Sequence, residues 1–277
     1  MSKIGGWGSS VQRTRRNLAK AAGVALTALL AMSVRPTSAS AHSHDPHPCF
    51  LKGTRIRTTR GYRKVEELAI GDVLPAKFGG LTPIQWIGRY QFEKIDQETS
   101  WAKDCRPVRV MRSALDGNVP NTDLYVTAGH AFFIDGVLVP AGNLINGTTI
   151  TLDEAEDFNL LEYFHIKLEN HDVIDAEGAP CESLLSVNET ANNFAEYIRS
   201  YGAPQSEHTP CAPVVSFDGG RSEVKSRLRS AASSWVDRRQ KLDIIRDRLE
   251  ERGIALCHNI ELARTSSPPA PPQDGAL

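Results

Sequence analysis

The chain has no pair of closely spaced cysteines that could hold zinc, no glycine-rich phosphate loop and no internal repeat. Those absences remove zinc ribbons, nucleotide-binding folds and solenoids from consideration. It also has almost no net charge, −1 over 277 residues. No nucleic-acid partner or membrane-surface attachment is therefore expected. No metal or organic cofactor is expected either. The hydrophobic share of 40% and the charged share of 23% are those of an ordinary soluble globular chain. The length suits one substantial domain with an appendage.

An apolar run long enough to span a membrane is missing as well. The longest, "AAGVALTALLAMSV" from Ala21 to Val34, has 14 residues. A comfortable span needs roughly 20. The run follows Arg15 and Arg16 in "TRRNLAK" and is followed by Arg35 and by the small residues Ala39–Ser40–Ala41. A basic start, a short apolar stretch and an A-x-A site make a secretory signal peptide. The paired arginines resemble the bacterial twin-arginine export signal. Residues 1–41 are accordingly expected to be removed, with the mature protein periplasmic or secreted. Residues 42–48, "HSHDPHP", could bind a metal through their histidines, but read more simply as a polar, proline-stiffened spacer.

The five cysteines are Cys49, Cys105, Cys181, Cys211 and Cys257, an odd number. In an oxidising compartment up to four could pair, leaving at least one free thiol. Sequence alone does not say which would pair.

From here the chain reads as β. "TRIRTT" alternates, Arg60–Gly61 is a turn, and "PIQWIGRY", "RPVRVM", "DLYVT" and "EYFHIKLE" read as strands. "AFFIDGVLVPAG" is a hairpin with Asp135–Gly136 at its tip. Many short strands with turn residues between them predict an all-β, hairpin-rich domain. After it the pattern changes. Val224, Leu228, Trp235, Leu242, Ile245 and Leu249 recur near helical spacing, predicting a long helix over about 221–252 with Gly253 as its stop. This helix is expected to pack back on the domain. The proline-rich residues 265–277 are expected to be disordered.

Three stretches carry the chemistry: "CFLKGTRIRT" from Cys49, "TAGH" at Thr127–His130, and "YFHIKLENHDVIDAEG" from Tyr163. Each alone is a weak signal. In this order, with "VEELAIGDVL", "PIQWIGR" and "DLYVTAGHAFFIDGVLVPAGNLING" between them, they resemble the Hint family. That is the self-processing fold of hedgehog C-terminal domains and inteins, and the likeness is to the bacterial members. It covers 49–186, with a C-terminal extension over 187–264.

The resemblance implies a compact, horseshoe-shaped all-β domain with pseudo-two-fold halves, followed by a helical appendage. It implies that Cys49 attacks the Pro48 carbonyl, moving the peptide bond from nitrogen to sulfur. On the ground of that nucleophile's role, Cys49 is expected to be the free thiol. It implies that Thr127 holds geometry and that His130 donates a proton to the scissile nitrogen. His171 matches the histidine of the later block, and Asp172 beside it could activate a second nucleophile. Where an intein ends in His-Asn, this chain reads "APCES" at Ala179–Ser183. Without that asparagine no side-chain amide can cyclise, so splicing is not expected.

The expected activity is thus a single cis self-cleavage at Pro48–Cys49 through a thioester. Its substrate is the chain's own N-terminal segment, and water or a small nucleophile resolves it. Such a domain is not a turnover enzyme. Two other readings remain open on the residues: a secreted binding or structural module whose chemistry is silent, and a cysteine hydrolase acting in trans through Cys49 and His130.

Overall fold

The computed structural model describes residues 48–266 apart from 95, 97–98, 188, 205–208, 218–219 and 234–238. The expected signal peptide, the spacer up to His47 and residues 267–277 lie outside the described residues.

Among the described residues fourteen strands and three α-helices follow in order. The strands are β1 (Phe50–Leu51), β2 (Arg55–Thr58), β3 (Gly61–Lys64), β4 (Val73–Ala76), β5 (Gly80–Pro83), β6 (Trp86–Glu93), β7 (Val108–Val110), β8 (Leu124–Val126), β9 (Ala131–Ile134), β10 (Val137–Pro140), β11 (Ile150–Leu152), β12 (Leu160–Lys167), β13 (Val173–Ala176) and β14 (Ala179–Glu182). The helices are α1 (Phe194–Tyr201), α2 (Gly220–Ala232) and α3 (Lys241–Ser266).

Two six-stranded sheets result, in the orders β11-β7-β8-β1-β12-β6 and β10-β9-β14-β13-β2-β3, with β4 and β5 as a separate hairpin. Neither sheet closes into a barrel. Three consecutive pairs, β1–β2, β8–β9 and β12–β13, leave the first sheet and enter the second. The short connections Lys52–Thr54, Thr127–His130 and Leu168–Asp172 are therefore corners where the chain changes sheets. The same device occurs in both halves of the sequence.

Strand β1 lies between β8 and β12 and is antiparallel to both, with Phe50 opposite Val126 and Phe164. Side chains alternate across a strand, so Phe50 enters one core with Ile56, Val126 and Phe132. Cys49 and Leu51 enter another with Trp86, Tyr90, Leu161 and Tyr163. The hairpin tip is where the sequence puts it: Asp135 and Gly136 both have positive φ, 50° and 83°, as a two-residue turn matched to strand twist requires.

The helical part differs from expectation. Instead of one helix over 221–252 there are two, and Arg239 and Gln240 belong to neither. Asp243 joins them, accepting from Arg229 Nε (2.6 Å) and Nη2 (3.0 Å) and from the Gln240 N–H (2.7 Å). Of the apolar residues that predicted the helix, Leu242, Ile245 and Leu249 are buried in the main core, so α3 does pack back on the β-domain. Val224 and Leu228 are exposed, and Trp235 lies outside the described residues.

Gly253 does not stop the helix, which runs on to Ser266. It continues the buried stripe of Leu242, Ile245 and Leu249. A Cβ on Gly253 would lie 2.7 Å from Thr148 Oγ1 and 3.0 Å from Thr149 Oγ1. The glycine is a point of close approach between α3 and the loop before β11. Asn146 Nδ2 bonds the Leu249 carbonyl one turn earlier, at 3.3 Å.

Candidate functional site

Cys49 stands at the entrance to β1. Its backbone N–H, the nitrogen of the Pro48–Cys49 bond, donates to Thr127 Oγ1 at 2.9 Å. The Thr127 N–H donates back to the Cys49 carbonyl at 3.0 Å. Thr127 begins the corner between β8 and β9, and β8 pairs with β1, so sheet register alone brings the two together. The corner is held from behind. His130 N–H bonds the Thr127 carbonyl (3.0 Å), Ala141 N–H the His130 carbonyl (2.8 Å), and Gly142 N–H the Ala128 carbonyl (2.8 Å).

His130 is fully buried, with its ring 4.3 Å from that of Phe50 and 5.8 Å from that of His165. Neither ring nitrogen reaches a partner at ordinary hydrogen-bond length. The Pro48 carbonyl is nonetheless near enough to favour the protonated ring. Burial pushes the imidazole down to about 4, against smaller upward pulls from Glu182 and that carbonyl, while neighbouring His171 pushes slightly downward. Thr127, rather than His130, engages the nitrogen of the Pro48–Cys49 bond, and His130 lies near the Pro48 carbonyl.

The Cys49 thiol is buried among Leu51, Trp86, Tyr90 and Tyr163. It is free, as are the other four cysteines. Burial pushes it well above its ordinary value, so it is held as the thiol.

His171 and Asp172 lie at the third corner, between β12 and β13. His171 Nδ1 accepts the Cys211 N–H at 2.9 Å. The neutral ring must then carry its hydrogen on Nε2, which lies 3.4 Å from Glu182 Oε2. Glu182 Oε1 accepts the Ala131 N–H at 2.7 Å, next to His130. One buried carboxylate thus stands between the two histidines. Asp172 is engaged elsewhere. Its carboxylate accepts the N–H groups of Phe78 (2.9 Å), Gly79 (2.6 Å) and Val173 (2.7 Å), fixing the turn between β4 and β5. The Phe78 and Gly79 bonds tie the start of β13 to that turn.

The structure therefore gathers Cys49, Thr127, His130 and His171, and sets Asp172 beside them in a structural role. It adds two residues that the motifs did not single out, Glu182 and His165. His165 follows Phe164, the partner of Phe50, by one residue along β12, just as Cys49 precedes Phe50 by one. A polar residue inside the run Tyr163–Lys167, all of it buried, was the available signal for His165.

A pair of sheets stitched by three corners, with the first cysteine's amide held by a T-x-x-H corner, defines a domain of the self-processing type. The chain belongs to the Hint domain family, whose model matches residues 48–188, just over half of its length. A domain of this family is one that can act in cis on its own backbone, and its all-β architecture with a C-terminal helical part is what the motifs implied. Among solved structures the chain is similar to the gp41-1 intein, at 10% identity over 48% of this chain and 97% of that one, with a TM-score of 0.34. It is similar to a DnaB intein from Synechocystis sp. PCC 6803, at 12% identity over 49% of this chain and 98% of that one, TM-score 0.32. It is similar also to a bacterial intein-like domain from Clostridium thermocellum, at 13% identity over 49% and 97%, TM-score 0.33. No functionally curated protein matches the chain. Among the described residues no helix is long and apolar enough to cross a membrane.

Proposed function

We propose that the chain is an exported protein that cleaves itself once at Pro48–Cys49, without splicing. The export part of the reading rests on Arg15, Arg16 and the Ala39–Ala41 site. In the cleavage part, Cys49 Sγ attacks the Pro48 carbonyl carbon. The carbon–nitrogen bond breaks, a carbon–sulfur bond forms, and the thiol proton ends on the freed Cys49 amine. Water or a small nucleophile then opens the thioester and releases the segment ending at Pro48. Thr127 orients the scissile nitrogen. His130 serves the carbonyl side as a neutral donor and transfers the proton.

The observation that carries this reading is the hydrogen bond from the Cys49 N–H, the nitrogen of the Pro48–Cys49 bond, to Thr127 Oγ1 at 2.9 Å, with the Thr127 N–H bonded to the Cys49 carbonyl at 3.0 Å and His130 near the Pro48 carbonyl. An amide is more stable than a thioester, so a fixed nitrogen with a proton donor near the carbonyl is what the shift needs. The test is incubation of the purified chain with hydroxylamine or a small thiol, followed by identification of the new N-terminal residue. The expected product begins at Cys49. A bond that stays intact in the wild type after long incubation removes this reading.

One observation favours a second reading, a Hint-fold binding module that is chemically silent: the thiol is desolvated among aromatic rings and held in its unreactive form. The same incubation separates the two.

A further inference from the structure

We propose that the cavity between the β-domain and its helical extension is a binding site for a small oxyanion, a molecule carrying a carboxylate or phosphate group on an apolar body. The cavity has a volume of about 450 Å³, within the range of roughly 300–1,000 Å³ usual for ligand sites. One wall is Gly142 and Ile145, the other Phe217 with Glu223 and Arg227 of α2 and Arg246 of α3.

The charges in it do not balance. Glu223 is the carboxylate that meets both guanidinium groups, 3.3 Å from Arg227 Nη2 and 3.7 Å from Arg246 Nη2. Arg246 is only 12% exposed, and among the described residues the carboxylate in ion-pair contact with it, Glu223, is at that longer distance, beyond hydrogen-bond length. Of the carboxylates nearby, Asp243 is taken by Arg229 at 2.6 Å and Asp247 by Arg239 at 3.1 Å, while Glu250 does not line the cavity. Glu250 and Asp243 attract Arg246 more weakly than Glu223 does, and the repulsion of Arg227 exceeds the attraction of Glu223. A guanidinium this buried, whose ion-pair contact with Glu223 is longer than a hydrogen bond, is costly unless a counter-ion completes it.

The fork of Arg246 lies over the Phe217 ring, 5.0 Å from its centroid, which fixes its plane. Among the side chains that line the cavity, two guanidinium groups share one carboxylate, which leaves one positive charge and a set of planar donors there. That is the arrangement that takes a carboxylate or phosphate bidentately. Phe217 and Ile145 supply apolar surface for the rest of the molecule. Gly142 in the first wall donates its N–H to the Ala128 carbonyl of the Thr127–His130 corner, so an occupant would sit beside that corner. The site stands whether or not Pro48–Cys49 is ever cleaved.

The test is titration of the full chain with benzoate, phenyl phosphate and inorganic phosphate, against sodium chloride at matched ionic strength. Heat of binding and the thermal midpoint are read. The expected result is saturable binding of benzoate or phenyl phosphate, weakened at least about tenfold in Arg246→Gln and less in Arg227→Gln. Binding of benzoate alone assigns a carboxylate, and of both phosphates with no benzoate binding a phosphate. Without ligand, Arg246→Gln should melt no lower than the wild type, since it removes a poorly paired charge. If that variant fails to fold, Arg227→Gln decides, because Arg227 is 59% exposed and its loss cannot unfold the chain. The proposal is overturned if none of the three anions binds more tightly than about 10 mM, a free energy weaker than roughly 3 kcal/mol. Equal binding by the wild type and the arginine variants overturns it as well.

Discussion

The surroundings of the Cys49 sulfur and of the His130 ring are alike in one respect and opposed in another. Both groups are buried, and burial penalises the charged form of each. The thiol is pushed up and the imidazole down, so both are neutral at rest. Yet the sulfur sits among Leu51, Trp86, Tyr90 and Tyr163, while His130 packs on Phe50 with Glu182 and His171 nearby. No hydrogen bond joins the two. Cys49 and His130 are therefore not a preformed thiolate–imidazolium pair. Reactivity has to come from how the peptide bond is held and from protons moving during the reaction.

The strongest way to break the comparison is to remove one member at a time. Cys49→Ala should abolish hydroxylamine-induced release altogether, because no other side chain can form the thioester. His130→Ala should leave the sulfur in place and slow release by roughly 10²–10⁴-fold, the usual worth of a positioned proton donor. Residual release from Cys49→Ala, or undiminished release from His130→Ala, would refute the assignment of roles.

The pH dependence of folding sharpens the contrast. An unfolded histidine takes up a proton near pH 6.5, whereas folded His130 resists until about 4. Between those values the unfolded state binds more protons, so stability rises with pH and is lost as pH falls through this window. The loss from His130 should reach about 3 kcal/mol at pH 4, and chemical denaturation of His130→Phe should lack it. The thiol acts at the other end. The folded state keeps its proton when the unfolded state loses it, so Cys49 should erode stability as pH rises above its ordinary value of 9.0. The smallest effect belongs to Thr127→Val. It leaves the buried Cys49 N–H unpaired, costing about 2 kcal/mol in a denaturant titration. A cost near zero would mean that Thr127 does not hold the scissile nitrogen.

What was legible in the sequence follows the same physics. Half-buried strands announce themselves by alternation, as in Arg55–Thr58, and the Asp135–Gly136 tip by turn chemistry. Cys49, Thr127 and His130 were joined by ordered motifs before any geometry was known. His165 and Glu182 were not, because a strand buried on both faces has no alternation and the partner that gives meaning to each lies far away in the chain. Gly253 misled for a related reason. A glycine after a helical run signals a stop, but here its missing side chain serves contact with Thr148 and Thr149, which sequence cannot place. Asp172 drew notice by standing beside His171, although its carboxylate belongs to a turn almost a hundred residues earlier.

The segment around Val214 has one further consequence. Leu138 of β10 donates its N–H to the Pro213 carbonyl at 2.9 Å and accepts the Val215 N–H at 2.8 Å, so this stretch lies along β10 as a parallel neighbour. Strand β10 is the outer strand of its sheet and reads Val-Leu-Val-Pro, an apolar edge of the kind that recruits strands from other molecules. The opposite outer strand, β3, carries Arg63 and Lys64 instead. One border of the sheet is guarded by charge and the other by the chain's own later residues. A proteolytic cut that frees the stretch at Val214 would open a sticky border on an intact sheet, and self-association would follow before any loss of fold.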